Sequence, residues 1–251
     1  MLLDVKNLNN FYTESPLGRF TKKRLQDSVK KLWGSSLGGQ IAGYGFSPPI
    51  LSLFRNPSQQ ILCLMPGQQG VISWPSKEKN CSVLAEETSW PIATGSIDRL
   101  VVLHGLETSE KLKDLFQEIW RVLAPSGKVI FVVPNRRGWW ARSEATPFGQ
   151  GRPYSVRQLK NQLKLNRFKI EQYLTALYAP PFENLYLLRI TKFLENLGDR
   201  FYPRFGGGVI LLEASKQIYA LNLPPLGLAV SGPLNVLEEL SDPKPASKTY
   251  F

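Results

Sequence analysis

The sequence predicts an α/β protein built on a doubly wound, mostly parallel sheet, and three observations lead there. Short apolar runs rich in β-branched residues alternate along the chain with segments of helical periodicity. Glycine- and proline-bearing turns separate them, as a strand followed by a crossover helix requires. The 251 residues are 43% hydrophobic and 20% charged, enough for one large domain with a sizeable core.

Taken in order, Leu17, Phe20, Leu25, Val29 and Leu32 recur at near-helical spacing with lysines and Arg24 between them, an amphipathic helix from Leu17 to Trp33. Gly34 to Gly39 breaks it. Gln40-Ile41-Ala42 is a short strand running into Gly43-Tyr44-Gly45-Phe46-Ser47, and Ser47 with Pro48 starts a short helix, Pro49 to Phe54, the serine as its cap. Gln60–Met65, Cys81–Ala85 and Arg99–Leu103 read as three further strands. Residues 109 to 123 put Leu112, Leu115, Phe116, Ile119 and Leu123 on one helical face, and Pro125-Ser126-Gly127 turns into the strand Lys128–Val133. After an Arg-, Gly- and Trp-rich loop over 135–155 come a helix Val156–Leu165, a strand Phe168–Leu177, a helix Asn184–Leu197 and a last strand Val209–Ser215. Pro-rich residues from 222 to 251 have no core of their own and are expected to form a flexible tail behind a domain of residues 1–221.

Two cysteines and a single histidine are too few for a zinc site or a disulfide scaffold, so no metal is expected. The longest uncharged apolar runs, such as Val129–Pro134, fall far short of the ~20 residues that span a bilayer. Asp4 and Lys6 interrupt any leader at the start, so a cytoplasmic location is the default. The net charge of +11 favours a polyanionic partner.

Two stretches carry a family resemblance. Ser96-Ile97-Asp98-Arg99-Leu100 resembles the Ser-Phe-Asp-x-Val segment of class I S-adenosylmethionine-dependent methyltransferases, and Glu118-Ile119-Trp120-Arg121-Val122-Leu123-Ala124-Pro125-Ser126-Gly127 their Glu-x-x-Arg-Val-Leu-Lys-Pro-Gly-Gly segment. Trp90-Pro91 stands at their Leu-Pro, and the subgroup most resembled is the broad type 11. The resemblance implies a seven-stranded Rossmann-like sheet with S-adenosylmethionine across the carboxyl ends of the first strands. Carried over residue by residue, Gly43 and Gly45 match the family's first two glycines, Ser47 stands at the third, and Tyr44 lies within the turn. Met65 then falls near the ribose, Glu86 near the adenine amino group, and His104 at the end of the fourth strand beside the reaction. The sequence departs from the family at two acids, with Ile41 two residues before the first glycine and Leu64-Met65-Pro66 ending the second strand. At about 1.5–3 kcal/mol per charge-assisted hydrogen bond, both losses together predict cofactor affinity lower by about two to four powers of ten.

His104 has two readings, a histidine packed at a strand end or a general base, the base being needed only for an oxygen or protonated nitrogen acceptor. Residues 135–169 hold nine basic side chains against the single Glu144. Those after 155 suit a solvated helix face. Asn135, Arg136, Arg137, Trp139 and Trp140, with Arg152 and Tyr154 further along the loop, leave the carboxyl end of the fifth strand, where guanidinium beside indole suits phosphate binding or base stacking. Ala179-Pro180-Pro181-Phe182 is a rigid turn, because it lacks the amide of the Asn-Pro-Pro-Phe signature, and Gly206-Gly207-Gly208 is another turn. Two functions follow. One is a methyltransferase using S-adenosylmethionine on an unidentified acceptor; the alternative is a degenerate relative that binds RNA, another polyanion or a protein.

Overall fold

The computed structural model describes residues 3–34, 38–56, 59–182, 195 and 206–217. A first helix, α1 (Val5–Glu14), was not anticipated from the sequence: Asp4 caps it and Val5, Leu8 and Tyr12 face the core, but its asparagines and lack of a long apolar stripe hide it. Ser15 caps α2 (Pro16–Trp33) by accepting from the Gly18 amide at 2.8 Å, and Gly34 in the left-handed region stops it. Next come β1 (Ile41–Gly45), α3 (Pro48–Leu51), β2 (Ile61–Pro66), β3 (Ser82–Ala85) and β4 (Ile97–Leu103). They are followed by α4 (Leu112–Val122), β5 (Leu123–Pro134), α5 (Val156–Leu165), β6 (Phe168–Ala176) and β7 (Val209–Lys216).

All seven expected strands are present, and they form one sheet in the order β3-β2-β1-β4-β5-β7-β6. Adjacent strands from β3 to β5 pair in parallel, while β7 is antiparallel to both neighbours. The strand order reverses between β1 and β4, the switch point at whose carboxyl side ligands of such sheets bind. Alternate residues feed two apolar cores. Val101, Leu103, Ile130 and Val132 pack under α1, α2 and α3 with Leu8, Leu25, Val29 and Leu51. Leu100, Val102, Val129 and Phe131 pack under α4 and α5 with Leu115, Phe116, Leu159 and Leu163.

Ser47 is a correction to the sequence reading. Its backbone is already helical rather than extended, and its hydroxyl makes no cap bond but lies 3.2 Å from the Cys63 thiol. Helix α3 is accordingly a single turn. Ser155 and Gln158 form a reciprocal capping box at α5, whose limits agree with the sequence. Of the helix expected over Asn184–Leu197 only Glu195, which is helical, lies within the described residues. Chain contacts divide the protein into Met1–Gln217 and Ile218–Phe251, and the second unit, with the Pro-rich tail, lies outside the described residues. Among those residues no helix is long and apolar enough to cross a membrane.

Candidate functional site at the carboxyl end of the sheet

Beyond β4 the backbone turns through His104, at a φ of 55° and wholly buried. Its Nδ1 lies 3.0 Å from Glu107 Oε1 and its Nε2 2.7 Å from the Tyr12 hydroxyl. With Glu107 ionised, Nδ1–H donates to the carboxylate and Nε2 accepts the Tyr12 proton, so both ring nitrogens are engaged. Burial, and then the Glu107 charge, hold the Tyr12 hydroxyl well above its ordinary pKa, which keeps it a neutral donor. Glu107 Oε2 is buried without a partner among the described residues. Aromatic rings close around the histidine: Phe148 lies 4.7 Å from it between centroids, and Tyr12 stacks on Phe46 at 5.9 Å. The Gln69 amide donates to the His104 carbonyl.

The glycine turn is packed from within. A Cβ at Gly43 would overlap the Ser47 hydroxyl and Leu51, and one at Gly45, at a φ of 79°, would overlap the Leu103 carbonyl. Both glycines therefore allow close approach of α3 and of β4. Tyr44 points to the opposite face and stacks on Trp90 at 4.8 Å between centroids. The Tyr44 hydroxyl and the Trp90 indole N–H are buried without partners among the described residues. Burial, and then the Glu87 charge, raise the Tyr44 pKa. Ile41 and Met65 are buried apolar side chains, and burial pushes the Cys63 thiol beside Ser47 up to about 12. Glu86, just past β3, is exposed.

The Glu-x-x-Arg motif proves to be a clamp. Arg121 donates to both Glu118 carboxylate oxygens and to the carbonyls of Ile92 and Trp90, and Glu118 accepts from the Trp90 amide at 2.9 Å. It pins the segment after β3 onto α4, which sets where Glu86 stands.

The loop after β5 divides into anchors and a presented face. Asn135 Nδ2 donates to the Gly207 carbonyl at 2.6 Å, and the buried Trp140 Nε1 to the Ala179 carbonyl at 2.8 Å. Gly206-Gly207-Gly208 is thus more than a turn: a Cβ at Gly208 would overlap the Trp140 ring. Tyr154 is half-buried and bridges to Asn135, with burial, and then the Glu107 charge, raising its hydroxyl to about 12. Arg136, Arg137, Arg142 and Arg152 are exposed, and Trp139 is 62% exposed. Sequence reasoning missed Tyr12 and Glu107. The His-Gly-Leu-Glu spacing was a signal for Glu107, but Tyr12 lies 92 residues from His104 and gave none.

S-adenosylmethionine is the cofactor that the resemblance implies, and its adenosine half needs polar partners near the end of β3. Glu86 offers an exposed carboxylate there, and the Tyr44 hydroxyl and Trp90 N–H are buried polar groups without partners among the described residues. The turn from Gly43 to Ser47 carries no charged side chain, and Ile41 before it is apolar.

Residues 41–131 match the family described as a methyltransferase domain. No curated protein matches the sequence. Among solved structures, an S-adenosylmethionine-dependent methyltransferase from Thermotoga maritima superposes with a TM-score of 0.55 at 13% identity, covering 85% of this chain and 96% of its own. The [4+2]-cyclase SpnF gives 0.53 at 15% identity, over 80% of this chain and 83% of its own. Geranyl diphosphate C-methyltransferase from Streptomyces coelicolor, solved with Mg2+, geranyl diphosphate and S-adenosyl-L-homocysteine, gives 0.52 at 12%, over 79% and 80%. The matched segment runs from β1 into β5 and so carries the switch point itself. Residues 41–131 thus match a methyltransferase domain, and the sheet has the fold of S-adenosylmethionine-dependent methyltransferases.

Proposed function

We propose that the chain transfers a methyl group from S-adenosylmethionine to an acceptor docked against residues 135–154. The observation that carries this reading is the family match over residues 41–131, in which β1 runs into the Gly43–Ser47 turn and β3 leads to exposed Glu86. The turn residues Gly43, Tyr44, Gly45 and Ser47 would hold the methionine part, Met65 would lie near the ribose, and Glu86 would meet the adenine amino group. The cofactor supplies an electrophilic methyl group, so the chain's own task is orientation and exclusion of water. Phe46, Phe148 and Tyr12 suit the second of these by their burial. His104 serves an acceptor as base only after parting from Tyr12, which now holds its Nε2. Arg136, Arg137, Trp139 and Arg152 present the acceptor-facing surface, and Asn135 and Trp140 anchor it.

A ligand that binds only the folded state raises its melting temperature. Titrated with S-adenosylmethionine and S-adenosylhomocysteine, the protein is expected to melt higher, and Glu86→Ala to lose most of the shift. An unchanged melting temperature at millimolar ligand overturns the proposal.

A second reading keeps the fold without methyl transfer, and specific observations favour it. Two charged cofactor contacts of the family are replaced by Ile41 and Met65, and the rings of Tyr12, Phe46 and Phe148 pack around His104. The likeness in fold to the [4+2]-cyclase SpnF adds support that such a sheet serves other ends. The basic loop would then bind RNA or another polyanion. That binding weakens with salt and with Arg136→Ala plus Arg137→Ala; salt-insensitive binding counts against it.

A further inference from the structure

A cavity of about 410 Å³ lies between α1, α2, α3 and the segment that follows β2. Tyr12 and Phe46 line it from the aromatic stack above the glycine turn, and Pro48, Pro49 and Ile72 add apolar wall. Its polar side is made differently. Lys22 from α2 and Arg55 beyond α3 bring two cations, Asn9 and Thr13 from α1 bring neutral hydrogen-bonding groups, and none of the described residues lining it is a carboxylate. The Arg55 guanidinium sits over the Trp74 ring, 5.9 Å from its centroid, and so stands beside an aromatic face. Its acidic partner among the described residues, Glu78, does not line the cavity and is 65% exposed, a solvent-screened pairing that an entering anion can replace. The volume is above the lower bound of about 300 Å³ for small-molecule sites, and an apolar body with a few convergent polar groups is their usual composition.

We propose that this cavity binds a small ring-bearing anion, its carboxylate or phosphate held by Lys22 and Arg55 and its ring packed against Trp74 and Phe46. Two cations without a lining carboxylate select for negative charge, and the aromatic surfaces select for a flat apolar body. The site goes beyond the methyltransferase reading and does not depend on it. It does adjoin the buried cluster, since Tyr12 both lines the cavity and bonds His104.

Calorimetric titration of the full chain tests this with indole-3-acetate, phenyl phosphate and the neutral indole-3-ethanol. Indole-3-acetate or phenyl phosphate is expected to bind, the better of the two identifying the head group, with the alcohol about tenfold weaker or more. Raising the salt concentration should weaken the anions alone. Lys22→Gln and Arg55→Gln should each lower anion affinity about tenfold, with the melting temperature of the free protein near wild type as evidence that both variants fold. Equal binding of the neutral and anionic probes, unaltered binding by both variants, or no binding of either anion at millimolar concentration overturns the proposal. Displacement of the anion by S-adenosylhomocysteine also overturns it, because the cavity would then belong to the cofactor. A protein that ignores S-adenosylmethionine yet binds the anion overturns the methyltransferase reading and leaves this site standing.

Discussion

At the scale of residues, the contact between Tyr12 and His104 is the one with most at stake. Both side chains are buried, so removing the hydroxyl leaves an imidazole nitrogen without a partner and without water. Tyr12→Phe is expected to lower unfolding free energy by about 1–3 kcal/mol in denaturant titration, while keeping the aromatic stack on Phe46. Phe148→Ala, which opens a hole against His104 and Trp140, should cost about 3–5 kcal/mol. Glu213 makes a comparable case in the middle of β7. Its wholly buried carboxylate accepts from Trp33 Nε1 at 2.9 Å and Gln172 Nε2 at 2.7 Å and pairs with Lys128 at 3.0 Å. Glu213→Ala strands three donors from three elements and is expected to cost about 3 kcal/mol or more by the same measurement.

At the scale of elements, α4 acts through its clamp. The Arg121 hydrogen bond, aided by the Trp90 amide, holds the Glu118 carboxyl below its ordinary pKa against the opposing effect of burial. A carboxyl depressed on folding contributes stability in full above its ordinary value of 4.5, and the contribution is lost as pH falls through the lower folded value. Glu118→Gln should therefore flatten the loss of melting temperature below pH 4.5, a change read by calorimetry at several pH values. The β5 loop depends in the same way on its anchors, and Gly208→Ala should destabilise by about 1–3 kcal/mol by forcing Trp140 aside.

Legibility also differed by element. The strands were readable because both faces of the sheet are covered, which makes each one a near-continuous apolar run such as Val129–Val133. Helix α1 escaped because Asn7, Asn9 and Asn10 are poor helix formers and its three core contacts are spread over one short face. Trp139 and Trp140 looked equivalent in sequence, yet one is exposed and the other buried, a choice made by the Ala179 carbonyl nearly forty residues away. The glycines of the turn were legible as a tight turn, but not as the space into which Ser47 and β4 would pack.

At the scale of the molecule, the sheet order could not be read from periodicity, because no pattern within β7 says between which strands it lies. Its placement between β5 and β6 matters for how the protein is made. Residues 168–176 leave the ribosome before residues 209–216, so until β7 emerges neither β5 nor β6 has the strand that answers its amides and carbonyls on that side. A nascent chain halted before residue 209 would thus present a template for intermolecular pairing. Synthesis of such a truncated chain should give aggregates that a peptide of the missing strand, supplied in trans, reduces.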